Sequence, residues 1–407
     1  MNRAALILLS LATPHALAQD ADAPRGIVRR VILDRELNRR VVDVLSASPT
    51  ELTVVGDRGR PENIPLANIA AWLPESPAAR SAVLVPLAGE VQRPRGLLGL
   101  GDGQVLAGEL GESTKGERVS WRSVLLGVRE FSIEAVHAIA LGDTSLPTES
   151  PKEDTATFTN GDTLAGFVAE LGETDLTIEV GGQPRKAEYD RLRSVAFTTP
   201  VLPRKGSYLW LEDGSVLSIG AIAGAGRSSR ELIVGWNGAE VPVPLTQVVA
   251  YAAEAGGLVG LSSLLPSAER PTPGRAWAAG IERGLADAPL GAADVTLPGP
   301  MVVEWTLPPR ASRLSTLAVL PPASRVWGDC EVRFELIRGG QATELRRVRL
   351  NGTTPETPIN VAIEPATAGS AGPTQAVLRV TLEPGERGPI QDRVVLVQPL
   401  LSLSAAR

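Results

Sequence analysis

Four stretches of the chain place apolar residues at the same four offsets, 0, 2, 5 and 8. They are Ile64-Pro-Leu66-Ala-Asn-Ile69-Ala-Ala-Trp72, Phe131-Ser-Ile133-Glu-Ala-Val136-His-Ala-Ile139, Ala187-Glu-Tyr189-Asp-Arg-Leu192-Arg-Ser-Val195 and Val243-Pro-Leu245-Thr-Gln-Val248-Val-Ala-Tyr251. A start with period two followed by steps of three predicts a strand, a single 3₁₀ turn and a second strand. A short strand precedes each: Leu52-Thr-Val54, Val119-Ser-Trp121, Leu176-Thr-Ile178 and Leu232-Ile-Val234. Further upstream, Leu100-Gly-Asp-Gly103, Phe158-Thr-Asn-Gly161 and Leu211-Glu-Asp-Gly214 set Asp-Gly or Asn-Gly between apolar flanks. That is a strong hairpin signal, because both central residues tolerate positive φ. In the first copy Leu33-Asp-Arg-Glu-Leu37 is a degenerate equivalent.

Hairpin, strand, 3₁₀ turn and strand in about 50–65 residues resemble the small SH3-like or Sm-like barrels, and the resemblance spans Ile27 to about Glu254. Units this small bury little surface alone, so the barrels are expected to pack on one another. A line or a ring is open at this stage, with a four-bladed propeller as the alternative arrangement. From about Leu297 the alternation lengthens, in Val303-Glu-Trp305-Thr-Leu307, Val332-Arg-Phe334-Glu-Leu336, Ile359-Asn-Val361-Ala-Ile363 and Leu378-Arg-Val380-Thr-Leu382. Sheets with one buried face follow, and with them a β-sandwich.

The expected organisation is therefore all-β: tandem small barrels, then a jelly roll. Residues 1–18 form a signal peptide, 26–78, 79–143, 155–200 and 205–254 the barrels, 144–154 and 255–295 linkers, and 296–407 the sandwich. Trp277 is a residue that could pin the second linker. Leu261-Ser-Ser-Leu264, the strand around Trp305, Val332-Arg-Phe334-Glu-Leu336 with Arg338-Gly-Gly340, and Gly388-Pro-Ile-Gln-Asp392-Arg-Val-Val-Leu396 together resemble the NPCBM family. The resemblance covers about Leu258 to Leu403 and implies a galactose-binding-like jelly roll of a carbohydrate-binding type. The family's Gly-x-Gly-x-His segment is replaced here by Pro298-Gly-Pro300-Met301, so a sugar-binding and a purely structural sandwich both remain open. Barrels followed by such a module also resemble secreted proteins of planctomycete-type bacteria.

Composition narrows the chemistry. The 407 residues include one Cys and two His, which excludes Cys-rich zinc patterns and histidine-rich metal sites. Net charge is −6, with only four lysines among 40 basic residues, so no general attraction to nucleic acid or anionic membrane follows. Asp102, Asp162 and Asp213 beside glycine lack the calcium-loop pattern and are assigned to hairpins. No nucleophile elbow or phosphate loop occurs. His137 is read as a partly exposed turn residue and Cys330 as a buried small hydrophobe. Trp72 and Trp121 fall on core positions, whereas Trp210, Trp236 and Trp327 are the candidate exposed contacts for a ligand.

No catalytic residue, metal or cofactor is assigned. The functional expectation is an exported, non-catalytic protein that binds or scaffolds at the cell envelope, with polysaccharide or an envelope protein as partner. The alternatives are a protein-interaction scaffold gripping extended peptides along strand edges and, third, an enzyme with a carboxylate pair assembled in space. Arg3 followed by Ala4–Ala12, the breaker Pro14 and Ala16-Leu-Ala18 fit a cleaved secretory signal, with no later apolar run long enough to span a bilayer. N-terminal sequencing of protein from a periplasmic or culture fraction is expected to begin at Gln19, and an intact Met1 would overturn the assignment.

Overall fold

The computed structural model describes residues 28–404 except 57–58, 77, 79–95, 112–116, 143, 148, 226–230, 277–278, 285–287 and 365–374. The expected signal peptide and Trp277 lie outside the described residues. Among the described residues the regular structure is strand and 3₁₀ turn only, and no helix is long and apolar enough to cross a membrane.

Unit 1 contains β1 (Val28–Asp34), β2 (Arg39–Ala47), β3 (Glu51–Val55), β4 (Pro61–Pro65) and β5 (Ile69–Pro74). Unit 2 contains β6 (Gly96–Leu100), β7 (Val105–Ala107), β8 (Glu109–Leu110), β9 (Arg118–Ser123), β10 (Gly127–Ser132) and β11 (Val136–Leu141). Unit 3 has β12 (Asp154–Phe158), β13 (Thr163–Leu171), β14 (Asp175–Val180), β15 (Gln183–Glu188) and β16 (Leu192–Ala196). Unit 4 has β17 (Ser207–Leu211), β18 (Val216–Ile219), β19 (Ile222–Ala225), β20 (Glu231–Trp236), β21 (Ala239–Pro244) and β22 (Val248–Ala252). In every unit the first strand pairs with the last and with the second, and a 3₁₀ turn, starting at Leu66, Ile133, Tyr189 or Leu245, leads into the last. Leu66 and Leu245 are buried there, and the strand that follows each turn is largely buried.

The hairpins differ in detail from the sequence expectation. Only the glycine takes positive φ, at Gly103, Gly161 and Gly214. Leu100 C=O accepts from Gly103 N–H and Leu100 N–H donates to Gln104 C=O, which describes a three-residue loop ending in a left-handed residue rather than a two-residue turn. In unit 1 the glycine's place is taken by Leu37, at φ 58°. A leucine there is strained by roughly 1–3 kcal/mol, yet its side chain is almost fully buried and packs in a cluster with Leu33, Leu258, Leu290 and Leu400.

The units join through strands. The last strands of units 1 and 4 pair (Trp72↔Tyr251, Ala71↔Ala252), as do those of units 2 and 3 (Ile139↔Val195). Units 2 and 4 meet through their second strands, at Val105↔Val216. The result is one 16-stranded path in the spatial order 3–2–4–1, open at β15 and β4, so the described residues form neither a propeller nor a closed ring. At the free edges prolines stand in β4 (Pro61, Pro65), β15 (Pro184) and β21 (Pro242, Pro244), which blunts sheet-to-sheet pairing; β10 has none.

The sandwich begins earlier than its strands suggested. After β23 (Leu258–Gly260), β24 (Ala268–Pro271), β25 (Glu282–Arg283) and β26 (Val295–Leu297) come β27 (Met301–Thr306), β28 (Ala311–Val319), β29 (Asp329–Arg338), β30 (Gln341–Asn351), β31 (Glu356–Ala362), β32 (Val377–Pro384) and β33 (Val394–Leu403). One sheet runs β25-β26-β33-β28-β31, with β23 added to β33; the other runs β24-β27-β32-β29-β30. Residues 255–295, expected as a linker, thus contribute strands to both sheets. Their small residues serve close packing: a Cβ on Gly260 would lie 1.7 Å from Gly291 O. Between the sheets lie Trp305, Phe334, Cys330 and the alternating aliphatic residues of β27, β29 and β32.

Unit 1 rests on the outer face of the first sheet. Ser315 Oγ donates to Leu37 O (2.8 Å), Asn360 Nδ2 to Glu36 O (2.9 Å) and Asn38 Oδ1 (2.8 Å), and Arg39 to Gln398 Oε1 (2.9 Å). Asp294 accepts from Ser76 Oγ and from Gln398 N–H. Burial lowers the Arg39 guanidinium to about 10, against the attraction of Asp294. Leu37 is therefore both anchor and strained turn residue. Leu37→Ala is expected to lose about 2–4 kcal/mol, and Leu37→Gly about 1 kcal/mol less than that because glycine relieves the left-handed strain. Thermal or urea denaturation that ranks Ala at or above Gly would contradict this account.

Candidate functional site

The two outer faces of the sandwich are already occupied. One carries unit 1, with Ser315, Val319, Val395, Val397 and Leu400 all buried. The other is laced by ion pairs running across its strands. Glu304 accepts from Arg270 (2.7 Å) and Arg379 (2.8 Å), Glu383 from Arg333 (2.8 Å), and Arg347 reaches Glu331 (3.2 Å) and Glu344 (2.7 Å). The two arginine hydrogen bonds hold Glu304 below its ordinary carboxylate range, Arg270 first. Side chains paired in this way present a flat charged lattice without an aromatic platform.

One end of the sandwich, where the β28–β29 loop meets the β32–β33 loop, carries exposed apolar side chains. Here Val326, Trp327 and Ile390 are exposed, at 67%, 57% and 55%. Large apolar side chains grouped in this manner mark a contact surface more often than single exposed ones do. Their support is polar and tightly tied. Arg387 donates to Val326 O (3.1 Å), Gly385 N–H to Asp329 O (2.6 Å), and Asp329 N–H to Asp392 Oδ1 (3.2 Å). Arg349 grips both oxygens of buried Asp329 at 2.8 Å and also reaches Glu386 (3.2 Å). That pair holds Asp329 below, and Arg349 above, their usual values. Gln391, next to Ile390, takes a left-handed φ of 57°, which turns the loop so that Asp392 points inward while Ile390 and Gln391 stay exposed.

Asp392 is buried and its Oδ2 has no hydrogen-bond partner. Burial raises its pKa to about 6, opposed by the Asp329 N–H and assisted by the Asp329 charge. Burial, helped by the same two carboxylates, pushes the Cys330 thiol up to about 12, so it is an unreactive core residue.

Of the three tryptophans singled out in the sequence, Trp327 is at this tip. The other two expectations of exposure are corrected. Trp210 does have the outward parity of β17, but the outer face of unit 4 is an inner face of the assembly: the indole packs with Ala71, Leu258 and Leu400 and under Arg204, 5.6 Å away. Trp236 is buried at the seam of units 2 and 4, donating to Gln104 Oε1 (2.7 Å). His137 is likewise buried rather than at an open turn, its ring nitrogens 2.8 Å from Thr199 O and 3.1 Å from Pro147 O. Sequence reasoning missed Val326, Ile390, Arg387 and Asp392; the only signal was the Gly388–Leu396 segment itself. A cleft of about 400 Å³ lies apart from the tip, in unit 3 between Lys152, Glu153, Phe167 and Glu179. Asp154 at its base is satisfied by Val168 N–H (3.0 Å) and Thr198 N–H (2.9 Å).

Among solved structures, the chain has low similarity to several that contain carbohydrate-binding modules. A CBM51 module of Clostridium perfringens GH95, solved in complex with methyl-galactose, is 14% identical with a TM-score of 0.26 and covers 36% of this chain and 99% of its own. A Clostridium perfringens ZmpB structure with the M60 catalytic domain, CBM51-1 and CBM51-2 is 8% identical at TM-score 0.28, covering 93% of this chain and 52% of that one. In two other ZmpB structures the chain spans 31% and 36% of their length. A carbohydrate-binding module from the β-sandwich superfamily, 10% identical at TM-score 0.22, covers 78% of this chain and 100% of its own. No family model matches the chain. No curated protein matches it either.

The Asp392 carboxyl gives a pH test of the tip. Its folded-state pKa of about 6 lies above the 3.8 of a free aspartate, so the native state binds the extra proton between those values and gains stability as pH falls from 7 toward 4 through this group. Asp392→Asn is expected to be more stable than the parent at pH 7–8 by about 1–3 kcal/mol, the difference shrinking to near zero by about pH 4. Equal denaturation midpoints for the two proteins across this range would refute the buried, unpaired carboxylate.

Proposed function

We propose that the protein is an exported, non-catalytic binding protein that holds polysaccharide at the tip of its sandwich, with the four packed units as a stiff spacer. The observation that carries the reading is Trp327, the one exposed indole among the described tryptophans, set beside Val326 and Ile390 on two loops that hydrogen bonds fix to each other. An indole face gives the C–H face of a pyranose both apolar area and a negative quadrupole. Around it, the exposed Arg387 guanidinium and the loop carbonyls supply donors and acceptors for hydroxyl groups. The NPCBM resemblance of this part of the chain points the same way. Because the loops are pre-tied, little ordering entropy opposes binding.

One specific observation favours a second reading, a scaffold for extended peptides. The outer edge of β10 is a sheet edge without proline, bordered by exposed Val124 and Val128. Such an edge can accept an added strand.

The test is affinity electrophoresis of the full chain through gels containing soluble polysaccharides, together with a glycan array. Retardation by at least one glycan class is expected. Trp327→Ala should weaken it by about 30-fold or more, the scale of a central aromatic contact. Lack of binding across a broad panel, or binding indifferent to Trp327→Ala, would overturn the sugar-binding reading. Crosslinking to a stoichiometric protein that β10 substitutions release would then support the scaffold.

A further inference from the structure

The units meet through corresponding positions. Trp72 and Tyr251 are both ninth in their apolar pattern, as are Ile139 and Val195, and each couple is a cross-strand pair. At the third contact Val105 and Val216 both stand two residues after the hairpin glycine. Each contact is therefore a local twofold between two similar units, and along the order 3–2–4–1 the contacts alternate: last strands, second strands, last strands.

The second-strand contact has its own chemistry. The residue closing each hairpin, fixed by its backbone bond to the residue just before the loop, is Asn38, Gln104, Asp162 or Ser215. Ser215 Oγ accepts from Ala107 N–H (3.0 Å), and Gln104 Oε1 accepts from Ser218 N–H (3.0 Å). The exchange is reciprocal, since Ala107 and Ser218 are corresponding residues. In unit 1 the same position faces the sandwich, where Asn38 Oδ1 accepts from Asn360 Nδ2. Three of the four hairpins are thus covered by another part of the chain, each through a side-chain oxygen at this position.

Unit 3 stands at the end of the array with its hairpin uncovered. Asn160, Gly161, Asp162, Thr163 and Ala165 are exposed, and Phe167, lining the unit 3 cleft, is 65% exposed. Thr163–Gly166 of β13 pairs with β12 on one side only. By correspondence with Ala107, Ala165 N–H points away from β12 into the free edge. Asp162 supplies the acceptor, its Oδ2 taking a local bond from Asn160 Nδ2 (2.7 Å) and its Oδ1 facing no partner.

We propose that two copies of this chain associate through unit 3, β13 against β13 across a twofold axis at Thr163. Each Asp162 carboxylate accepts from the partner's Ala165 N–H, and each Phe167 lies beside the other hairpin. The dimer continues the alternation that already joins units 2 and 4, with the sandwich capping the opposite end. The contact is small and the two Asp162 side chains repel, so association is concentration-dependent and strengthens with salt.

Sedimentation equilibrium of the full chain over a wide concentration range tests this. The expected result is a reversible shift from 42.7 kDa toward twice that mass, favoured by high salt. Asp162→Asn should leave the dimer intact or tighten it. Ala165→Pro, which deletes an N–H the unit's own ladder does not use, and Phe167→Lys, a surface change, should each raise Kd about tenfold or more. Far-ultraviolet circular dichroism and the thermal midpoint check that both variants fold. A strictly monomeric parent overturns the proposal, and so does a dimer that neither folded variant weakens.

Discussion

The array depends on a hydrogen-bonding requirement that appears wherever one unit covers the second strand of another. The second strand of a small curled sheet turns part of its backbone outward, and an N–H such as that of Ala107 or Ser218 has no strand of its own unit to receive it. Water serves such a donor while it is exposed, but a buried backbone donor must be paired, so units can close on one another only where a neighbour's side-chain oxygen accepts from it. Aromatic and aliphatic packing then follows. Trp72 and Tyr251 sit 4.7 Å apart at the seam of units 1 and 4, and Tyr208 reaches across to Asp102 O at 2.8 Å. A single hydrophobic cluster runs through all four units.

Much of the fold is visible in the residue pattern because it is set locally. The offsets 0, 2, 5 and 8 locate the 3₁₀ turns at Leu66, Ile133, Tyr189 and Leu245, and Asp-Gly and Asn-Gly locate the hairpins. What local pattern cannot convey is which outward face becomes an interface. Trp210 reads as exposed by strand parity, and the parity is right; burial comes from Leu258 and Leu400, far along the chain. Leu37 obscures the first hairpin for a related reason, since its side chain is selected by the contact with the sandwich rather than by the turn. Residues 255–295 read as a linker because Gly260 and Gly291 pack backbone on backbone, leaving little apolar periodicity. Of the candidate site, only Trp327 could be named in advance. Asp392 and Arg387 owe their roles to two loops brought together by the sandwich.

In the sandwich the charges divide by task. The ionic lattice of Arg270, Glu304, Arg379, Arg333 and Glu383 covers a sheet face with mutually satisfied groups. Half-exposed pairs of this kind add little stability each, yet they give the face polarity. At the tip the balance is reversed: Arg349 and Asp329 lock the base, and the apolar side chains above it are left to solvent.

The spatial order of the units also sets a timetable for folding. Unit 2 takes its second-strand partner from unit 4, across more than a hundred residues, and unit 1 is completed only by the sandwich: Arg39 bonds to Gln398 over 359 positions and Asn360 to Asn38 over 322. The first strands made must hold their open edges until the last are synthesised. Contacts of such separation slow assembly and prolong exposure of sticky edges, and the prolines of β4, β15 and β21 lie on strands paired on one side only, whose outer edges stay open throughout that wait. The same residues that shape the finished surface thus act earlier, as guards on a nascent chain.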